Sequence, residues 1–257
     1  MESKASGKDD QKSLGPTGKE SVYSSVIDSP VLPPEEKSLL RLEQEGALLA
    51  LAGTESPAKS LNIIFYHLLT NPDILTKLQT ELDSVSSPLS WTKLEQLPYI
   101  TAVIEEGNRL SFGVTARTAR IAYEQLIYTP STHVKSLPNH DKSYNIPPGT
   151  PVSITTLSAH TAESVFPDPF RFNPDRWLGE EGRELRKFQM AFSKGGRKCL
   201  GIELARAELY LVVAALVKAF DMSLFETDES DIDFLHDYQV AFPKLDSKGI
   251  RVIAKLR

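Results

Sequence analysis

The chain has 257 residues, with 29 Lys and Arg against 34 Asp and Glu and a formal net charge of −5. That balance offers nucleic acid no electrostatic footing, while 40% hydrophobic residues suffice for a sizeable core in one large domain or two small ones. A single cysteine, Cys199, excludes an intramolecular disulfide, so its thiol serves either packing or chemistry.

Residues 1–35 are rich in Ser, Lys, Gly and Asp and end in Pro30, Pro33 and Pro34. They read as a polar, flexible leader without the apolar run of a signal peptide or anchor. No window of about eighteen uncharged apolar residues follows, so the chain taken alone reads as soluble and cytoplasmic. Residues 36–257 form the second region. "EGALLALAGTESPAKSLNIIFYHLL" is apolar nearly all round, which predicts a helix buried in a larger body. Asn71 and Pro72 then predict an N-cap and first helical position, with Leu75, Leu78 and Leu82 on one face. A further helix is expected from about Pro98 to Leu110.

Between residues 115 and 157, β-branched segments bracket the turn signals "LPNHDKS" and "IPPGT", which predicts a small sheet. A proline- and aromatic-rich loop, "FPDPFRFNPDRW", leads toward Cys199. After the cysteine, a helix should run to about Phe220. The tail "DYQVAFPKLDSKGIRVIAKL" reads as two strands around a "DSKG" turn. Helix dominates with minor sheet, so the class is α+β, mainly α with small β-sheets.

Zinc, disulfide and phosphate-loop chemistry find no support: no second cysteine is present, and the five histidines (67, 133, 140, 160 and 236) are scattered. "FSKGGRKCLG" differs in kind. Phe192, Gly195, Arg197, Cys199 and Gly201 stand at spacings that chance would produce on the order of 10⁻⁴ times in such a chain. A helix N-terminus and flanking cations favour the thiolate form of a cysteine, and glycines let backbone N–H groups approach sulfur.

This pattern resembles the haem-binding segment of the cytochrome P450 superfamily, whose iron takes a cysteine thiolate as axial ligand. Three more segments carry the resemblance, in family order. "EEGNR" supplies Glu106 and Arg109, i,i+3 on one helix face. "FNPDRW" supplies Arg176, which the resemblance places in a structural network with Glu106 and Arg109; Asp175 and Trp177 replace the family's Glu and Phe. "AGTES" is similar to the oxygen-activation segment, with Glu55 as acid and Ser56 where the family usually has threonine. From the residues alone, Glu55 is as readily a buried acid needing a partner and Ser56 a helix filler. Pro57 removes an N–H that would bond the Gly53 carbonyl, which predicts a locally opened turn.

The resemblance implies the C-terminal, haem-binding portion of that fold, with the N-terminal half missing. It implies haem b on Cys199, with Arg197 and Arg120 toward its propionates, although either arginine could equally be a solvated surface charge. It also implies electrons from NADPH through a cytochrome P450 reductase or similar donor, and hydroxylation or epoxidation of an apolar small molecule. The sequence looks most like filamentous-fungal enzymes of secondary metabolism, which implies a terpenoid-type substrate. Full-length members sit at the endoplasmic reticulum membrane. Arg183, Arg186, Lys187, Lys194, Arg197 and Lys198 gather near the cysteine, either to steer an acidic electron donor or as solvated charge. The alternative to an enzyme is a truncated, non-catalytic remnant with weak or no haem binding.

Overall fold

A computed structural model of the protein describes residues 21–130 and 142–257. The leader before Ser21, His133, His140 and most of the "LPNHDKS" turn lie outside the described residues. The chain divides into two compact units, residues 1–54 and 55–257. In the first, α1 (Val22–Ile27) starts under a capping box in which Ser21 Oγ accepts the Ser24 N–H at 3.0 Å. A 3₁₀ turn over Pro34–Lys37 follows, its Lys37 Nζ donating to the Ser29 carbonyl at 2.6 Å. Helix α2 (Leu39–Thr70) begins in this unit, where Arg41 pairs with Glu36 and Glu45 at 2.8 Å each.

The expectation that α2 is buried all round is corrected here. Leu48, Leu49 and Leu51 are exposed, and burial starts only at Pro57, continuing through Ser60, Ile63, Ile64, Phe65 and Leu68. That one-sided stripe is what a helix buries when the core meets it along one face. The helix runs continuously through Pro57, because a single missing N–H leaves the flanking turns to carry it.

The second unit continues with α3 (Pro72–Asp83), α4 (Trp91–Leu94) and α5 (Pro98–Ser111). Asn71 occupies the N-cap of α3, yet its side chain makes no capping bond there. Its amide instead donates to the His67 carbonyl at 2.7 Å and closes the end of α2. At α5 the N-cap residue is Leu97, which has no polar side chain. Glu81 of α3 takes the role: its carboxylate oxygens accept the Tyr99 and Ile100 N–H groups at 2.7 and 2.8 Å.

The small sheet expected after residue 115 is two separate antiparallel pairs. β1 (Arg120–Ile121) pairs with β4 (Pro151–Val152), and β2 (Leu126–Tyr128) with β3 (Tyr144–Ile146). Helix α6 (Thr156–His160), a 3₁₀ turn over Pro174–Trp177, and α7 (Gly179–Leu185) lead to the cysteine loop. Beyond it, α8 (Ile202–Ala219) packs into the core and passes directly into β5 (Phe220–Leu224). The tail departs from the expected hairpin. β6 (His236–Asp237) pairs with β7 (Ala241–Phe242), while β8 (Val252–Leu256) returns to β5, from Phe220↔Leu256 to Leu224↔Val252. "DSKG" is therefore a bend between two pairings rather than a hairpin tip. The β-branched run after it finds its partner some thirty residues upstream, a pairing that local turn chemistry does not encode.

The architecture is mainly helical with short antiparallel pairs, as the α+β reading expected. Its core joins Ile64 and Leu68 of α2, Leu78 and Leu82 of α3, Ile100 and Val103 of α5, and Val213 and Val217 of α8. Each such side chain contributes about 1.5–3 kcal/mol by leaving water. Burial of α5 is nearly complete, including Glu106 and Arg109, so the fold commits charged groups to its centre and must satisfy them there.

Candidate functional site

Five hydrogen bonds converge on the Glu106 carboxylate. Arg109 Nε donates to Oε2 and Arg109 Nη2 to Oε1, both at 2.8 Å. The Asn173 N–H and Arg176 Nε reach Oε1 at 2.9 and 3.1 Å, and Trp177 Nε1 reaches Oε2 at 2.8 Å. Arg109 spends its remaining donors on the carbonyls of His160, Pro169 and Arg171, at 2.9, 2.6 and 3.4 Å, and lies over the Phe166 ring at 5.1 Å. The structure thus brings Glu106, Arg109 and Arg176 together. It adds Trp177, which the sequence marked only as a replacement, and His160, which it left among scattered histidines. Full satisfaction is what makes a buried ion pair tolerable.

His160 is completely buried. Its Nδ1 lies 2.8 Å from the Arg109 carbonyl, and the Met190 N–H points at its Nε2 at 2.8 Å. A carbonyl only accepts and an N–H only donates, so the proton sits on Nδ1 and the ring is neutral. Burial pushes its pKa down to about 4.

The cysteine loop starts from this anchor. The Ser193 N–H donates to the Met190 carbonyl at 2.8 Å, and the Cys199 N–H to the Phe192 carbonyl at 2.9 Å. A 3₁₀ turn, Gly195–Arg197, lies between. Gly195 has φ +77, a left-handed conformation that favours glycine. The space around these glycines is open: a Cβ at Gly195, Gly196 or Gly201 would meet nothing within 4 Å. Cys199 is exposed, Leu200 is 92% exposed, Phe192 is half-buried, and Gly201 caps α8. Arg197 and Lys198 are exposed. Arg120, on β1, is exposed and donates to the Thr118 and Ala119 carbonyls at 3.3 and 3.2 Å.

Of the basic residues around the loop, Arg183 pairs with Glu180 at 3.1 Å, and Lys187 pairs with Glu184. The local positive charge is therefore smaller than a count of cations implies.

Glu55 and Ser56 are exposed on α2 and line a cavity of about 280 Å³ with Lys59, Ser111, Tyr238, Val240 and Phe242. Lys59 Nζ donates to the Ile232 carbonyl at 2.9 Å, and burial brings its pKa down to about 8. Behind the cavity wall, Ser60 Oγ bonds to Asn108 Oδ1 and Ser111 Oγ at 3.0 and 3.1 Å, tying α2 to α5.

Among the described residues, no group of three or more His, Cys, Asp or Glu could hold a metal ion. The single thiol of the glycine loop suits iron that arrives with its other ligands, as in haem-thiolate proteins. The comparisons with known proteins agree. The chain belongs to the cytochrome P450 family, whose model matches residues 32–248. It is similar to the cytochrome P450 monooxygenase TRI4 of Trichoderma arundinaceum, 39% identical over 253 residues, covering 93% of this chain and 46% of that protein. Similar matches are the cytochrome P450 monooxygenase astB of Aspergillus terreus and the tryptophan 6-hydroxylase fscE of Fusarium equiseti. Both are 40% identical, over 243 and 242 residues, and each match covers 92% of this chain and 45% of the relative. The chain thus spans less than half the length of these relatives. No helix among the described residues is long and apolar enough to cross a membrane.

The residues of the cysteine loop fit the haem that the family implies: an exposed thiol, glycines with open space around them, and an exposed leucine and arginine beside it.

Proposed function

We propose that the chain acts as a haem-thiolate monooxygenase, hydroxylating or epoxidising an apolar secondary metabolite of terpenoid type. The observation that carries this reading is the exposed Cys199 on a hydrogen-bonded glycine loop, anchored to the Glu106 core. Cys199 would hold the haem iron, Arg197 and Arg120 would take the propionates, and Phe192, Gly195 and Gly201 would shape the loop beneath the ring. When bound, haem supplies the oxidation of C–H or C=C bonds by dioxygen and two electrons.

The chain's own residues do the rest. Glu55 stands at the cavity wall as the acid of the proton path, and the Ser56 hydroxyl, its neighbour on α2, relays protons inward. Tyr238, Val240 and Phe242 offer an apolar substrate a largely apolar wall. Electrons come from NADPH through a reductase, which Arg197 and Lys198 would help to orient.

The exposure of Glu55, Ser56 and Leu200 favours a second reading, a non-catalytic form that binds haem weakly. One experiment separates the two. Haem is added to the purified chain, reduced, and exposed to carbon monoxide. A thiolate-type Soret band that Cys199→Ala abolishes supports the enzyme reading; its absence from the wild-type chain refutes it.

A further inference from the structure

Arg109 and His160 hold each other twice. The arginine side chain donates to the His160 carbonyl at 2.9 Å, and the His160 imidazole donates to the Arg109 carbonyl at 2.8 Å. The other ring nitrogen accepts the Met190 N–H. From there an unbroken chain of contacts leads to the cysteine: the Met190 carbonyl takes the Ser193 N–H, and the neighbouring Phe192 carbonyl takes the Cys199 N–H. Beside Met190, Gln189 Nε2 donates to the Glu105 carbonyl at 2.9 Å. Two successive residues at the loop base are thus bonded to groups on α5 or α6. The Gln189 bond runs from a half-buried side-chain amide to a backbone carbonyl of α5. The His160 bond runs through a fully buried ring flanked by Phe112 and Phe166, with centroids at 6.3 and 6.4 Å.

We propose that His160 is a positioning residue, an imidazole bridge that carries the rigidity of the Glu106–Arg109 core into the Cys199 loop and so sets where the thiol stands. Its relevance to haem rests on the function proposed above. The bridge itself does not, because its contacts lie wholly within the chain. Its chemistry is specific. The ring must present a donor to Arg109 and an acceptor to Met190 at opposite edges, and neutral histidine is the side chain that offers both across one rigid plane.

The two nitrogens can be separated by substitution. Asparagine places its amide near Nδ1 and keeps the Arg109 contact, while glutamine reaches the position of Nε2 and can accept the Met190 N–H. In the full 257-residue chain, amide hydrogen exchange is read at Met190, Ser193 and Cys199 for wild type, His160→Asn, His160→Gln and His160→Ala. The expected result is about tenfold faster exchange at Met190 in the Asn and Ala variants, the equivalent of one lost hydrogen bond. Gln should keep exchange near wild type. With haem added, the Asn variant should show a smaller thiolate-type fraction of the reduced carbon-monoxide spectrum, and Gln should restore it.

Wild-type exchange in the Asn variant, or Gln no better than Asn, overturns the proposal. If Ala does not fold, the Asn–Gln contrast decides alone. If the wild-type chain gives no thiolate band, the haem reading falls, and the exchange data still decide whether His160 holds the loop.

Discussion

Trp177 Nε1 donates to Glu106 Oε2 at 2.8 Å, joining the aromatic end of the "FNPDRW" segment to the buried acid of α5. Trp177 is itself buried, packed with Ala102 and Phe166, so the bond fastens a second small core to the first. Trp177→Phe keeps most of that packing and removes the donor. It should cost about 1.5–3 kcal/mol, the range for a hydrogen bond to a charged group. Glu106→Gln leaves the Arg109 guanidinium buried without its counter-charge and should cost about 3–5 kcal/mol. Urea unfolding of both variants measures this, and a cost for Glu106→Gln no larger than that for Trp177→Phe would contradict the network described.

Stability should also depend on acid in a defined window. Burial lowers the pKa of His160 and of His67 from the ordinary 6.5 to about 4. Glu106 and Arg109 oppose one another as their charged neighbours, and His67 is stacked on Phe172 at 4.7 Å. Between pH 6.5 and 4 the unfolded chain binds protons that the folded chain refuses, so stability rises with pH across that window. Above it the effect is flat, and each histidine accounts for about 3 kcal/mol over the full range. Urea midpoints at pH 7 and pH 5 should differ, and His67→Gln should reduce that difference. A pH-independent gap between His67→Gln and wild type would refute the assignment.

Gly107 allows α2 and α5 to approach. An added Cβ would lie 2.2 Å from Ile64 Cγ1 and 2.7 Å from Cδ1, and Ile64 is fully buried. Alanine favours a helix over glycine by about 1 kcal/mol, whereas overpacking costs about 1–3 kcal/mol. Gly107→Ala should therefore destabilise, and Ile64→Ala in the same chain should recover part of the loss. Additive effects in that double-mutant cycle would disprove the contact.

Ser56→Ala tests the proton path under the proposed function. The variant should keep the thiolate-type band, while a smaller share of the NADPH consumed appears as product. Ser56→Thr should raise that share, because its methyl restricts χ1 and aims the hydroxyl. Equal coupling in all three proteins would remove Ser56 from the path.

What the sequence determined by itself was whatever depends on near neighbours or on a fixed motif. Pro72 and Pro98 opened their helices at the expected places, since N1 proline is a local preference. The helical and β-branched segments of 36–257 foretold the α+β class, and the spaced motifs pointed to the family. Only the tertiary structure decided what depends on distant partners. Glu81 caps a helix that starts seventeen residues later, β8 pairs with β5 instead of its nearest neighbour, and His160 joins Arg109 to Met190. The physical reason is the same in each case. A donor, an acceptor or a strand edge is a local property, but which partner satisfies it is settled by burial, after the core has brought remote segments together and excluded water as the alternative. Cys199 shows both sides: its sequence context nominated it, and the bonds from Arg109 through His160, Met190 and Phe192 determine where it stands.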